Sequence, residues 1–295
     1  MRHRHLVPPL VAAVLVLTST ATTPAQTSAV SEALAAAASH LQQLGHDADG
    51  VVIAEDYAQQ AQGQVVTARR LRSDLAILAD PTAGWIEFRD TFSVDGKDVP
   101  DRQTRVVDLF ANASADAREQ IQRITREGAR FNLSALGVRF DRTINLPLAA
   151  LVFLRAENQT RSTFKFDDFE NVAGARTVVV TFQEQARPRV IASADDAAAS
   201  GTFWIEPTTG IVRRSLLRLE SHRGTTVVNA SIRVDYADVP SLHLWLPKLM
   251  DESYLITNGP SRQTIGAISG RAVYSNYRKF NVAVSEQAAP AEEAK

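Results

Sequence analysis

The sequence has 295 residues, a formal net charge of −1 and no cysteine. A chain of this length can bury a large core, and it must do so without disulfides or thiolate metal sites. Near-neutral charge with both signs interspersed leaves no electrostatic footprint for nucleic acid.

The first stretch, MRHRHLVPPLVAAVLVLTSTATTPAQTSA, has Arg2 and Arg4 ahead of an apolar run from Leu6 to Leu17. Thr23 and Ala25 stand three and one before a cut ahead of Gln26. That is the layout of a secretory signal peptide over residues 1–25, and the apolar run is shorter than the roughly 20 residues a membrane span needs. Export to the periplasm or the medium is expected, with no transmembrane anchor left after cleavage. Cleavage would lower the basic residues from 32 to 30 against 33 acids, a net charge of −3. One domain is expected over residues 30–284, followed by a disordered Ala/Pro/Glu-rich tail over 285–295.

Within the domain, Val30 to Gly45 reads as an Ala-rich helix stopped by its glycine. Val51 to Gln60 leans towards a strand, and Val65 to Leu78 alternates loosely until Asp80-Pro81. Trp85 to Val94 is a clearer strand, with Ile86, Phe88, Phe92 and Val94 assigned to one face and Glu87, Arg89, Thr91 and Ser93 to the other. Asp95-Gly96 follows as a two-residue hairpin turn. Two helical stretches come next, Asp101 to Phe110 and Ser114 to Phe131, the second with Ser114 as a candidate N-cap. The apolar run Leu146 to Leu154 reads as a buried helix. From Ser162 onward the pattern is almost all strand: Thr177 to Phe182, Gly201 to Ile205, Ile211 to His222, Thr225 to Tyr236, Ser253 to Thr257 and Gln263 to Phe280. Turn signals at 207–210, 223–224 and 258–260 make successive strands antiparallel neighbours. The fold class is α+β: a curved antiparallel sheet, a half-barrel, wrapped around a few helices that cover its apolar face.

The hairpin Gly201-Thr-Phe-Trp-Ile-Glu-Pro-Thr-Thr-Gly-Ile-Val-Arg213 joins an aromatic strand to a basic one through a proline–glycine turn. With the leader, the N-terminal helix and the helical insert, it resembles the bacterial LolA/LolB/RseB-like lipoprotein-carrier superfold. The ordering Arg69 to Leu75, Trp85 to Asp101 and Leu244-Trp-Leu-Pro247 also resembles a family of exported bacterial proteins. The resemblance implies the LolA-like fold and a place in the bacterial envelope. It supplies no ligand-contacting residue that can be matched here.

The residues offer little catalytic chemistry. His40, His46, His222 and His243 lack the three or four converging partners a metal centre needs, so no metal and no cofactor are expected. Asp167-Asp168 with Glu170, and Asp195-Asp196, are read as solvated acids in loops rather than an acid–base pair. No Gly-x-Ser-x-Gly elbow occurs. The remaining candidates are apolar: Phe88, Phe92, Phe203 and Ile205 on the strands, with Leu151 and Phe153 on the apolar helix. As core, each of the strand residues contributes about 1.5–3 kcal/mol. As the wall of an unfilled curl, they would line a site for a lipid or acyl chain. Arg214 and Arg218 are expected on one face and Arg213 on the other, available to headgroups or to an envelope protein, or as charges that discourage edge pairing. The expected function is a non-enzymatic, exported binder of an apolar ligand for carriage or sensing. The alternative is an envelope scaffold with the same fold filled solid.

Overall fold

The computed structural model describes residues 24–63, 65–104, 117–134, 142–193 and 195–280. The expected tail and most of the expected leader lie outside them, as do the candidate N-cap Ser114 and most of the Asp101–Phe110 stretch. Helix α1 (Pro24–Asp47) is followed by β1 (Val51–Gln62), β2 (Thr67–Asp80), β3 (Gly84–Val94) and the short β4 (Lys97–Asp98). Helix α2 (Ala117–Gly128), a 3-10 helix (Ala149–Leu154) and the single turn α3 (Ala156–Gln159) form the insert. Then come β5 (Ser162–Val172), β6 (Ala175–Glu184), β7 (Ala199–Ile205), β8 (Val212–Arg223), β9 (Thr226–Val239), β10 (Leu244–Asn258) and β11 (Gln263–Lys279).

All the strands of the described residues belong to one 11-stranded sheet in the order β4-β3-β2-β1-β11-β10-β9-β8-β7-β6-β5. Every adjacent pair is antiparallel, and β11 lies beside β1, so the last strand bridges the N-terminal hairpin to the C-terminal meander. The sheet is open, yet α1 packs against β2 and β3 near one end and against β5 and β6 near the other. A single helix can touch both ends only if the sheet curls around it. The twist that any long antiparallel sheet carries supplies that curl.

Helix α1 earns its place with an Ala-rich face. Val30, Ala33, Ala37, Leu41 and Leu44 are buried at helical spacing, and small residues let the backbone lie close to the sheet. The helix runs past the expected stop at Gly45. That glycine has a packing role: a Cβ there would stand 3.0 Å from the Gly84 carbonyl oxygen. The hairpin at Asp95-Gly96 forms as read, with φ of 52° and 78° and Val94 paired to Lys97, as a two-residue turn of this kind requires. The β7–β8 turn also forms, and its Gly210 (φ 72°) sits directly on α1, where a Cβ would meet the Ala36 carbonyl oxygen at 2.1 Å.

Four expectations need correction. The apolar run is a 3-10 helix over Ala149–Leu154, not an α-helix, although Leu151, Phe153 and Leu154 are buried as expected. Asp167, Asp168 and Glu170 lie within β5, not in a loop. Strand β10 begins at Leu244 rather than Ser253, because Pro247 is accommodated at a register shift between Pro247 and Leu249. In β3 the polar set faces inward. Glu87 pairs with Ile77 and Arg89 with Leu75, both buried, whereas Phe88 pairs with Ala76 on the outer face. A bulge opposite Arg72 and Ser73 then leaves Phe92 without a direct partner and turns Val94 inward, opposite Leu71. Phe88 forms a small separate cluster with Ile124 of α2, so α2 does not cover the concave face.

Candidate functional site

The inside of the curl has two unlike halves. Over β5–β8 it is aromatic. Phe182 stacks on Phe203 at 5.0 Å between ring centres and meets Phe153 of the 3-10 helix at 4.7 Å. Phe164 of β5 lies 6.2 Å from Phe182, and Phe166 lies 5.1 Å from Phe169. These side chains form a graded series. Phe203, Phe153 and Ile205 are fully closed off (0% exposed). Phe164 and Phe166 are half-buried, and Phe169 is 41% exposed. Strand β5 is the free edge of the sheet. Aromatic surface therefore runs from the open edge into the closed interior.

Over β1–β3 and β10–β11 the interior is ionic and phenolic. Arg89 donates to both Glu55 carboxylate oxygens, at 2.6 and 2.9 Å, and to the Asn145 carbonyl oxygen at 2.7 Å. The Tyr274 hydroxyl donates to Glu55 at 3.1 Å. Glu252 accepts from Arg142, Tyr57 and, at 3.0 Å, Tyr254. Arg142 also donates to Gln59 at 3.0 Å and to the Leu133 carbonyl at 3.1 Å, while Gln59 accepts the Leu133 N–H at 2.9 Å. Both ion pairs have side chains at 0% exposure. Guanidinium groups lie over rings as well, Arg89 at 5.1 Å from Tyr57 and Arg142 at 5.0 Å from Tyr254.

Burial sets the titration here. It pushes the hydroxyls of Tyr57, Tyr254 and Tyr274 well above the usual tyrosine range, and Tyr57 and Tyr254 are pushed further by the Glu252 charge. Burial opposes the charge on Arg89, but the Glu55 carboxylate outweighs it and the net shift is upward. Glu87 is raised from 4.5 to about 8 by burial, against the Leu148 N–H that donates to it at 3.0 Å. The effect of these bonds is mechanical. Leu133, Arg142, Asn145, Pro147 and Leu148 are each tied to the sheet, the Pro147 carbonyl by the Tyr236 hydroxyl at 2.8 Å. Although the buried Arg142 Nε has no hydrogen-bond partner, the bonds from the other polar atoms of these groups fix one arrangement of the insert in the curl.

Of the sequence candidates, Phe203, Ile205, Leu151 and Phe153 all belong to the main core, Phe153 and Phe203 meeting through Phe182. Phe88 and Phe92 do not join them. Phe92 is half-buried with the Arg102 and Arg72 guanidinium groups at 5.4 and 5.9 Å from its ring centre. The buried polar set was missed altogether. Its signal was present in β1, where Glu55 and Gln59 share the parity of Val51, Ile53, Tyr57 and Ala61. Among the described residues no group of three or more His, Asp or Glu side chains could hold a metal ion. No helix of the described residues is long and apolar enough to cross a membrane.

Sheet order, curl and enclosed helix define an open antiparallel half-barrel. Among solved structures, the chain is similar to an outer membrane lipoprotein-sorting protein domain from Vibrio parahaemolyticus, at 12% identity and a TM-score of 0.36 over 85% of this chain and 95% of that one. It is also similar to a DUF1329 family protein from Desulfovibrio piger, at 10% identity and 0.36 over 87% and 95%. A LolA superfamily protein from Nitrosomonas europaea aligns at 8% identity and 0.29 over 83% and 94%. No family model matches the sequence, and no curated protein matches it.

Proposed function

We propose that the chain is a non-enzymatic binding protein that takes an apolar chain, a lipid or acyl group, at the aromatic edge of the curl, for carriage or sensing in the bacterial envelope. One observation carries this reading: the free edge strand β5 presents Phe164, Phe166 and Phe169 only partly covered, in line with the closed Phe182, Phe153 and Phe203 stack. Exposed aromatic surface on an open sheet edge invites association. Each methylene of a ligand buried against it contributes about 0.8 kcal/mol. Phe203, Ile205, Leu151 and Phe153 would form the inner wall that such a chain reaches as the edge opens.

The native protein, extracted with organic solvent, should release lipid detectable by mass spectrometry, and a fluorescent fatty acid should bind saturably. A Phe166→Glu/Phe169→Glu variant should lose both. Extracts free of lipid together with no fatty-acid binding would overturn the reading. A second reading, an envelope interaction protein with a solid core, is favoured by the complete burial of Phe153, Phe203 and Ile205. It predicts partner proteins recovered from envelope fractions by a lipid-free chain, and their loss in an Arg214→Glu/Arg218→Glu variant.

A further inference from the structure

On the opposite face of the same strands lies a pocket of about 410 Å³, within the size range of small-molecule sites. Its residues belong to β5–β8 and come from neighbouring rows of the sheet. Thr163 pairs with Gln183, Gln183 with Ser200 and Ser200 with Arg218, while Lys165 pairs with Thr181 in the next row. The shape follows from side-chain length. Ser200 and Thr181 are short and form the centre, while Lys165, Gln183 and Arg218 are long and stand around them. The paired residues Phe182 and Gly201 lie beneath.

The charge is one-sided. None of the lining residues is acidic, and neither Lys165 nor Arg218 has an ion-pair partner among the described residues. Other arginines on the outer face differ: Arg214 is paired with Asp235, and Arg233 and Arg271 share Asp251. Glu220, two residues from Arg218 on the same strand, is engaged by His222 at 3.0 Å. From β5 to β8 the sheet is about 14 Å wide. Lys165 and Arg218 stand on the outer strands of this set, one row apart, and flank a bed of hydroxyls and amides.

From this geometry we infer that the outer face of β5–β8 carries a second binding site, for a phosphate ester on a hydroxylated carrier. Lys165 and Arg218 supply charge-assisted hydrogen bonds to the phosphate oxygens, and Thr181, Gln183 and Ser200 serve the remaining oxygens and the carrier hydroxyls. The polar side chains of the site lie on the face opposite the phenylalanine stack, which the pocket meets only at Phe182.

Titration calorimetry of the full chain tests this with two probes, glycerol 3-phosphate and vesicles of phosphatidylcholine with or without phosphatidylglycerol. Saturable binding of glycerol 3-phosphate, absent for glycerol, is expected, with at least about a tenfold loss in Lys165→Ala/Arg218→Ala, whose side chains are exposed so that the fold should be retained. Ser200→Leu keeps both charges but fills the centre, and it should abolish binding equally. Binding confined to the phosphatidylglycerol vesicles, with the same loss in both variants, supports the site and identifies the source as a lipid headgroup. Binding that survives Ser200→Leu is diffuse attraction and overturns the inference, as does the absence of binding to either probe.

Discussion

The β1–β3 and β10–β11 half of the curl and the β5–β8 half fill the same concave surface with different materials. The first uses two ion pairs, a set of tyrosines and directed hydrogen bonds. The second uses stacked phenylalanines and aliphatics. A hydrogen-bonded lock holds one geometry and fails when a partner is removed. An apolar wall tolerates changes of shape at constant volume. The comparison therefore assigns rigidity to the half that anchors the insert, and adaptability to the half whose edge is open.

The largest effect should come from breaking the lock. Arg89→Met leaves Glu55 charged, buried and uncompensated, and denaturant unfolding should show a loss of about 3–5 kcal/mol. Replacing Glu55 by Leu in the same chain should recover most of it; failure to recover would mean that the pair contributes more than a satisfied burial.

Glu87 gives a pH test of the same half. The native state keeps its proton up to about pH 8, whereas a carboxyl at its ordinary value of 4.5 in the unfolded chain has lost it. Between those values the native state binds more protons. The stabilisation from Glu87 is therefore complete below pH 4.5 and is lost as pH rises to 8, by up to roughly 1.4 kcal/mol per unit. Glu87→Gln should remove that component, so that the difference in stability between variant and parent changes sign or grows with pH; a constant difference would place the carboxyl at an ordinary pKa.

In the aromatic half, the volume-conserving Ile205→Leu should cost less than about 1.5 kcal/mol. A loss as large as that of Arg89→Met would end the contrast between the halves. The smallest effect belongs to the outer surface. Asp235→Asn removes the partner of Arg214, 2.5 Å away and partly exposed, and should shift stability by less than about 1 kcal/mol, shrinking further in salt.

The two halves were also unequally legible. The strands of the meander announce themselves by alternation and turn residues, and the Phe203–Ile205 face with its Gly210 turn follows from local pattern alone. The polar half could not be read that way. Period-two alternation in β3 assigns polar side chains to one face but does not say which face meets solvent. Trp85 sits in that polar set and is buried with it. The answer depends on partners far along the chain, Glu55 for Arg89 and Glu252 for Tyr57, and on a bulge at Phe92 that no residue type marks.

The contact between Gly210 and the Ala36 backbone has a consequence for how the molecule is made. Gly210 cannot meet α1 until translation has passed the β7–β8 turn, so a shorter nascent chain leaves the Ala36 end of the α1 alanine stripe uncovered on that side. Anything that shields that stripe during synthesis would govern the yield of folded protein without touching the finished structure.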